Sequence, residues 1–585
     1  MRGAPTIVAG LLVALASPCA AVSLTHWHFE ELGRQWHPGV PESSALRVPS
    51  PITRDDKIES VSLKDAIALA LANNPGIAAQ RLEPVRQGGV VLETQAEFDP
   101  TLSGEVGKSL SESPNASALA GTRTTRIDDR YANFHLFKTF RSGTVATIDA
   151  LNDRLDNNAR FSQLRPQYTA HLSLSVVQPL LRNFGWDFSY LVVRVAERMA
   201  DASVYQYEAA LADFVEAVIE AYWNVVRARD TLAVQRESKA LADKTVEENE
   251  ARVRVGLLPP VATLEAQADA KSREEQVLIA ENALAVARQQ LAQIAYYRPD
   301  GTFVPRTLEP IEEAAAEDIA VDLDDTLAIA LAERPEIHAS ARDVEAQQLN
   351  EKIAGNQRLP RLDLVGSYGL TGLSGTARPV TSGIITTTPA AFGINNCTQL
   401  TPPNAPNQQA VFLCNATATS AFTGPAREAY DRLNDFRSYS FGLQFQLPLS
   451  NAAARGQYTQ SRIARDQAEL NHRELLSRVT LEARQTVSDA ITTRQRIDTS
   501  RIARELAEEN LRNQQKRHDV GMATTKDLLD FQTRLTTARA AEVAAKIDHA
   551  IALARWRRAR GQLLAYYQVL VEHPGRPSTP WFARF

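Results

Sequence analysis

The chain has 585 residues, 64 Lys and Arg against 69 Asp and Glu, and a formal net charge of −5, a balance that gives no reason to expect nucleic acid as a partner. Charged residues are 23% and hydrophobic ones 44%, as in a folded protein rather than a disordered or collagen-like one. No Gly-rich phosphate loop, nucleophile elbow or clustered His/Cys set occurs, so the sequence indicates no enzyme, no cofactor and no metal centre.

The first 21 residues read as an export signal: Arg2 is the positive end, Ile7 to Ala16 is apolar, and Cys19-Ala20-Ala21 offers small residues for cleavage. The apolar run is shorter than the ~20 residues a membrane helix needs. Cys19 raises a lipidated N-terminus as an alternative, against which Pro18 stands. No later run is long and apolar enough for a membrane helix, so a membrane crossing by this chain requires a closed β-barrel. Residues 22–57 read as an N-terminal periplasmic extension.

Leu63 to about Ala96 reads as helix, followed by β-like segments between Thr101 and Leu180. From about Trp186 to Val253 the chain is rich in Ala, Glu and Arg and nearly free of breakers. At ~1.5 Å per residue such a helix spans roughly 100 Å. Leu211, Phe214, Val218, Tyr222 and Val225 recur at mixed three and four spacing, the seam of a helix packed lengthwise on others. Gly256 and Pro259-Pro260 force a turn, and helix returns from Val261 to about Ala295.

The same plan then repeats. LKDAIALALANNPGI, with Asp65 and Pro75, returns as LDDTLAIALAERPEI, with Asp325 and Pro335 (65 to 325, an offset of 260). Helix is expected over Leu323 to Gln357, strands near Leu362 to Leu370 and Ser438 to Leu449, a long helix from Ala452 to Asp519, a turn at Gly521, and helix from Thr525 to about Leu564. The helix turns match as well: Arg252, Val255, Gly256 and Gln267 against Arg517, Val520, Gly521 and Gln532. A repeat this long is a duplicated domain-sized unit. The expected division is 58–320 and 321–570, with a tail at 571–585.

The strands alternate. Tyr168, Ala170, Leu172, Leu174 and Val176 oppose Thr169, His171, Ser173 and Ser175; Tyr439, Phe441, Leu443, Phe445 and Leu447 oppose Ser438, Ser440, Gly442, Gln444 and Gln446. A half-buried strand of a soluble sandwich shares this pattern. The export signal favours an outer-membrane barrel, whose tilted strands need ~10 residues. Two or three strands per half cannot close a barrel, which needs about 8. Open edges cannot face lipid, so several copies must share one barrel. Pro179 and Pro448 mark the exits from sheet to helix. Cys397 and Cys414 lie close together in a Pro/Asn/Thr-rich insertion between about Thr371 and Phe436, and read either as a loop disulfide or as two free thiols.

The paired L-x-D openings, the Pro100/Leu102 and Pro360/Leu362 strand entries, the Gln178-Pro179-Leu180 exit and the twin Val-Gly turns together resemble the TolC family of outer-membrane efflux and secretion channels. The resemblance covers roughly residues 58 to 567. It implies a mainly α fold with a membrane β-barrel: a homotrimer whose shared barrel sits in outer-membrane lipid and whose long helices form a periplasmic tunnel. It implies a periplasmic adaptor and an inner-membrane transporter as partners, in efflux or type I secretion. By carry-over, Val255, Gly256, Leu257, Val520, Gly521 and Met522 are the adaptor-contact tips. Asp527, Asp530 and Glu265 are periplasmic gate candidates. For Asp527 and Asp530 the plainer reading is first-turn acids favoured by the helix dipole. Ala262 and Pro259-Pro260 depart from the family pattern at the first turn. The simplest family plan has two strands per half. Tyr131 to Leu151, around Gly143, looks like an extra hairpin that either joins the barrel or lies outside it. A pore-free periplasmic coiled-coil protein and a passive porin remain as other readings. The alternating strands count against the first and the helical majority against the second.

Overall fold

The computed structural model describes residues 59–115, 123–159, 162–295, 308–314, 317, 319–378, 380–386, 397–400, 410–418 and 420–571. The expected signal, the extension up to residue 58 and most of the C-terminal tail lie outside them.

Two helical halves follow the duplicated sequence. The first holds β1 (Glu59–Val61), α1 (Leu63–Asn73), α2 (Pro75–Ala96), four strands, α3 (Leu191–Arg254) and α4 (Val261–Ala295). The four strands are β2 (Thr101–Pro114), β3 (Thr124–Thr139), β4 (Val145–Asn157) and β5 (Leu164–Pro179). After β6 (Leu308–Pro310) the second half holds α5 (Leu323–Glu333), α6 (Pro335–Asn356), β7 (Arg361–Ala377), β8 (Val380–Thr386), β9 (Cys397–Gln399), β10 (Phe412–Ala418), α7 (Ala426–Asp431), β11 (Phe436–Gln446), α8 (Ala452–Asp519), α9 (Thr525–Ala559) and α10 (Leu563–Tyr566). The four matched helix pairs are 11 and 11, 22 and 22, 64 and 68, and 35 and 35 residues long.

Each opening helix, expected as one continuous run, is two. The Asp65 N–H donates to Ser62 Oγ at 3.2 Å and the Asp325 N–H to Asp322 Oδ2 at 2.9 Å, so the duplicated motif begins with the same N-cap. Pro75 and Pro335 then stand at the first positions of new helices, because proline lacks the N–H that would continue the old ones. Asn74 caps α2 through the N–H groups of Gly76 and Ile77. Its amide also reaches the Ile294 carbonyl at 3.5 Å, and the Asn73 amide reaches Ala295 O at 3.3 Å. The end of α4 therefore abuts the start of α2, and both flank α3. The second half repeats this where the Gln562 amide donates to Glu333 at 3.0 Å.

The predicted seam is the core. Leu211, Val218, Tyr222 and Val225 are buried, Phe214 packs beside them, and Ile547, Ile551 and Ala554 of the other half join the same cluster. A charged tie also crosses between halves: Arg558 meets Glu216 of α3, and within its own half Glu336 of α6 and Glu482 of α8. The parallel pair β1–β6 joins residues 59–61 to 308–310. Beside it the Tyr222 hydroxyl bonds Glu312, whose carboxylate accepts the Leu63 N–H at 2.9 Å.

The strands form one six-stranded antiparallel sheet in the order β11-β7-β5-β4-β3-β2. The expectation of two or three strands per half needs correction: the first half gives four and the second two. The hairpin β3–β4 is in the sheet, turned by Gly143 at φ +80° and a Gly143 N–H bond to the Phe140 carbonyl. The second-half strands also shift: β7 runs on to Ala377, and β11 ends at Gln446 rather than beyond Pro448. No described helix is long and apolar enough to cross a membrane.

Candidate channel wall and hairpin tips

The register places each expected strand face. Tyr439 faces Tyr368, Leu443 faces Leu364, and Phe445 faces Leu362. Leu172 faces Leu370 and Ala150; Leu174 faces Tyr368 and Ile148; Leu136 faces Ile148 and Leu102. Because side chains alternate along a strand, these rows make one continuous apolar face across all six strands. The other face carries Ser103, Ser173, Ser175, Ser367, Thr371, Ser438 and Ser440, with Ser367 and Ser440 hydroxyls 2.7 Å apart. An apolar face against a small polar one is the division of a membrane barrel, lipid outside and water within.

The two faces also differ in the sign of their charges, though not cleanly. The polar face holds Glu105, Asp129, Asp149 and Asp153. Its one Arg in these ladders, Arg361 at the helix-proximal end, is bound to Asp363. Lys108, Arg126, Arg130, Lys138, Arg154 and Arg437 all fall on the opposite parity, together with the acids Glu112, Asp128 and Asp156. The acids, which the two strands read in the sequence do not contain, come from the first three strands of the sheet. Asp149 lies 2.7 Å from His135 Nδ1, and the Ser173 hydroxyl donates to it at 3.4 Å.

At the far end of the wall the insertion forms a small sheet, β8-β10-β9. Cys397 is disulfide-bonded, and its cross-strand partner in the ladder is Cys414. The short α7 presses on the apolar face of β7: a Cβ on Gly372 would meet the Ala429 carbonyl at 1.7 Å.

The helix turns at 254–261 and 519–525 are built alike. Gly256 and Gly521 both have φ +76°. Their N–H groups bond Val253 and His518 carbonyls, while those of Leu257 and Met522 reach back to Arg252 and Arg517 at 2.8 Å. This double bond pattern around a left-handed glycine ends a helix by satisfying its last carbonyls. It also turns Val255, Leu257, Val520 and Met522 outward, at 69, 73, 69 and 69% exposure. The two tips touch. Arg252 donates to Asp519 at 2.9 Å and lies 3.1 Å from His518 Nδ1. Burial, with the Arg252 charge beside it, holds the His518 pKa below its ordinary value. The sequence carried no sign of this tie, because its partners are 266 and 267 residues apart.

Asp527 and Asp530 are both exposed on the first turns of α9, and Glu265 is exposed on α4. Asp527 also completes a capping box: it accepts from the Thr524 N–H at 3.1 Å and hydroxyl at 2.7 Å, and its own N–H donates to Thr524 Oγ. Those bonds lower its pKa. Asp530 takes no part in the cap.

The family described as outer membrane efflux protein matches residues 66–295. Residues 66–295 of the chain thus resemble the outer membrane efflux proteins. The chain is 26% identical over 263 residues to "Outer membrane protein TolC" of Vibrio cholerae serotype O1, a match over 42% of this chain and 55% of that one. It thus spans little more than half the length of this curated relative. Its fold is similar to the CmeC outer membrane channel of Campylobacter jejuni (TM-score 0.57, 16% identity, 86% of each chain). It is similar also to the outer membrane protein VceC of Vibrio cholerae (TM-score 0.56, 17% identity, 85% of this chain and 96% of that one). These relatives are membrane channels and not enzymes. The long paired helices and the sheet of this chain thus share the fold of outer-membrane channels.

Proposed function

We propose that this chain forms a homotrimeric outer-membrane exit duct of a tripartite efflux or type I secretion system. The carrying observation is one sheet, apolar outside and polar inside, whose two edge strands have no second partner among the described residues while its helices extend ~100 Å away. Six strands are too few to close around water, and unpaired edges are not tolerated in lipid. A periplasmic coiled-coil protein without a pore has no use for such an apolar face. Copies joined around an axis supply the missing partners, and the helices beneath continue the bore.

The tips are the docking points for a periplasmic adaptor, which links the duct to an inner-membrane transporter. Apolar Val255, Leu257, Val520 and Met522 project at the end of each hairpin, where a matching apolar groove on an adaptor would cover them. Asp527 and Asp530, with Glu265, would ring the periplasmic entrance when repeated by symmetry. Cys397 paired with Cys414 would staple the extracellular insertion. Residues 1–21 are the export signal, and 58–320 and 321–570 the two repeats. The test is extraction from outer membranes: a trimer that dissociates on heating, and loss of export on deletion, are expected. A water-soluble monomer would reject the reading.

A further inference from the structure

We infer that the shared barrel has eighteen strands, six from each of three copies, closed by pairing β11 of one copy with β2 of the next. This rests on the trimer proposed above and deepens it.

Four observations carry it. First, the β3–β4 hairpin is inside the wall, since β3 pairs β2 on one side and β4 pairs β5 on the other. The simplest plan of the resembled family, two strands per half, would close three copies at twelve; the wall here has half as many again.

Second, the edges are bare where the interior is covered. All eleven positions of β11 and all but Gly107 of the fourteen in β2 are exposed. On the same apolar face Phe441 and Val106 are each 78% exposed at the edges, against 44% for Leu174 and 37% for Leu136 inside. The difference is the shielding that one more neighbouring strand supplies.

Third, direction selects which edges meet. Five antiparallel steps separate β11 from β2, so the two run oppositely. Copies related by an axis along the membrane normal keep the same up and down. Like edges would therefore meet parallel, and unlike edges meet antiparallel, as every other pair in the wall does. That head-to-tail contact closes a ring.

Fourth, the inward face is rich in small residues from β5 to β11: Ser173, Ser175, Ser367, Gly369, Ser438, Ser440 and Gly442 leave room there, while Tyr131, His135 and Phe137 of β3 also face inward. Barrel diameter grows about linearly with strand number, and walls of 16–18 strands enclose an aqueous channel. The bore is then about one and a half times that of a twelve-stranded wall. The outer-membrane segment sets no narrow size limit, and selection by size falls to the helical end.

The test uses the full chain in lipid nanodiscs. Cysteines at Val106 (V106C) in β2 and at Tyr439, Phe441 or Leu443 in β11, one pair per variant, should give oxidised dimer and trimer bands in at least one register. Micrographs down the axis should show a wall about one and a half times as wide as in a variant lacking 124–157. That excision removes one up and one down strand and leaves the antiparallel order intact. If the variant fails to fold, edge cross-linking and a strand count on the full chain still decide. A trimer with no cross-link in any pair, or with twelve strands in its wall, overturns the eighteen-strand closure alone. A monomer overturns the proposed function with it.

Discussion

The Arg252 guanidinium at the first hairpin tip donates to the Asp519 carboxylate at the second, 2.9 Å away. The same guanidinium faces buried His518. Two helix ends from different halves are thus locked by one cation, with a titratable base beside it. Arg252→Ala should loosen both tips, by about 1 kcal/mol or less because Asp519 is well exposed. Hydrogen exchange at residues 249–257 and 514–522 would show it, with the sheet unchanged.

The same contact makes the tips sensitive to acid. His518 is held neutral, its pKa below the ordinary value. Its contribution to stability is full above the unfolded pKa near 6.5 and is lost as pH falls toward the lower folded value. Protection at the tips, taken relative to the intrinsic exchange rate at each pH, should fall between pH 7.5 and 5. In His518→Gln that fall should shrink; an unchanged fall would assign it to other groups.

Two glycine substitutions should behave differently. At Gly521 a side chain meets nothing within 4 Å, so Gly521→Ala carries only the left-handed backbone cost of about 1–2 kcal/mol. At Gly372 the Ala429 carbonyl blocks any Cβ. Gly372→Ala should lift α7 off the sheet and expose residues 420–435 to protease, while thermal stability of the helices holds.

Asp527 and Asp530 separate cap from gate. Thr524→Ala should cost about 1 kcal/mol at the start of α9. Asp530→Asn should leave that helix end unchanged. If both acids ring the entrance, the double variant Asp527→Asn with Asp530→Asn raises single-channel conductance in planar bilayers. Unchanged conductance removes the gate assignment.

Ion preference should have a second source in the wall. Glu105, Asp129, Asp149 and Asp153 face inward with no Lys or Arg opposing them in the span of their strands. Replacing all four with their amides should weaken the cation preference measured by reversal potential in a salt gradient. Lys108→Gln, on the outer face, should not.

Much of this architecture was legible because it is local or periodic. The bounds of α4 and α8 follow from breakers and caps that act within a few residues, and the faces of β5 and β11 from strict alternation. The breaks at Pro75 and Pro335 were signalled by proline and Asn74, yet the apolar pattern running through them hid the change of helix. The place of β3–β4 was not legible, because a hairpin pattern says that two strands pair and not what lies beside them. The Arg252–Asp519 contact escaped for a related reason: either residue alone reads as a solvated helix-end charge.

The parallel ladder of residues 59–61 on 308–310 has a consequence for biogenesis. Its partners are about 250 residues apart, and Glu312, just beyond, supplies the acceptor for the start of α1 and for the Tyr222 hydroxyl. During synthesis the first repeat has its long helices well before it has this clasp. Nascent chains stopped short of residue 308 therefore lack the contact that anchors their leading end, and the earlier repeat matures only once the connector to the later one has emerged.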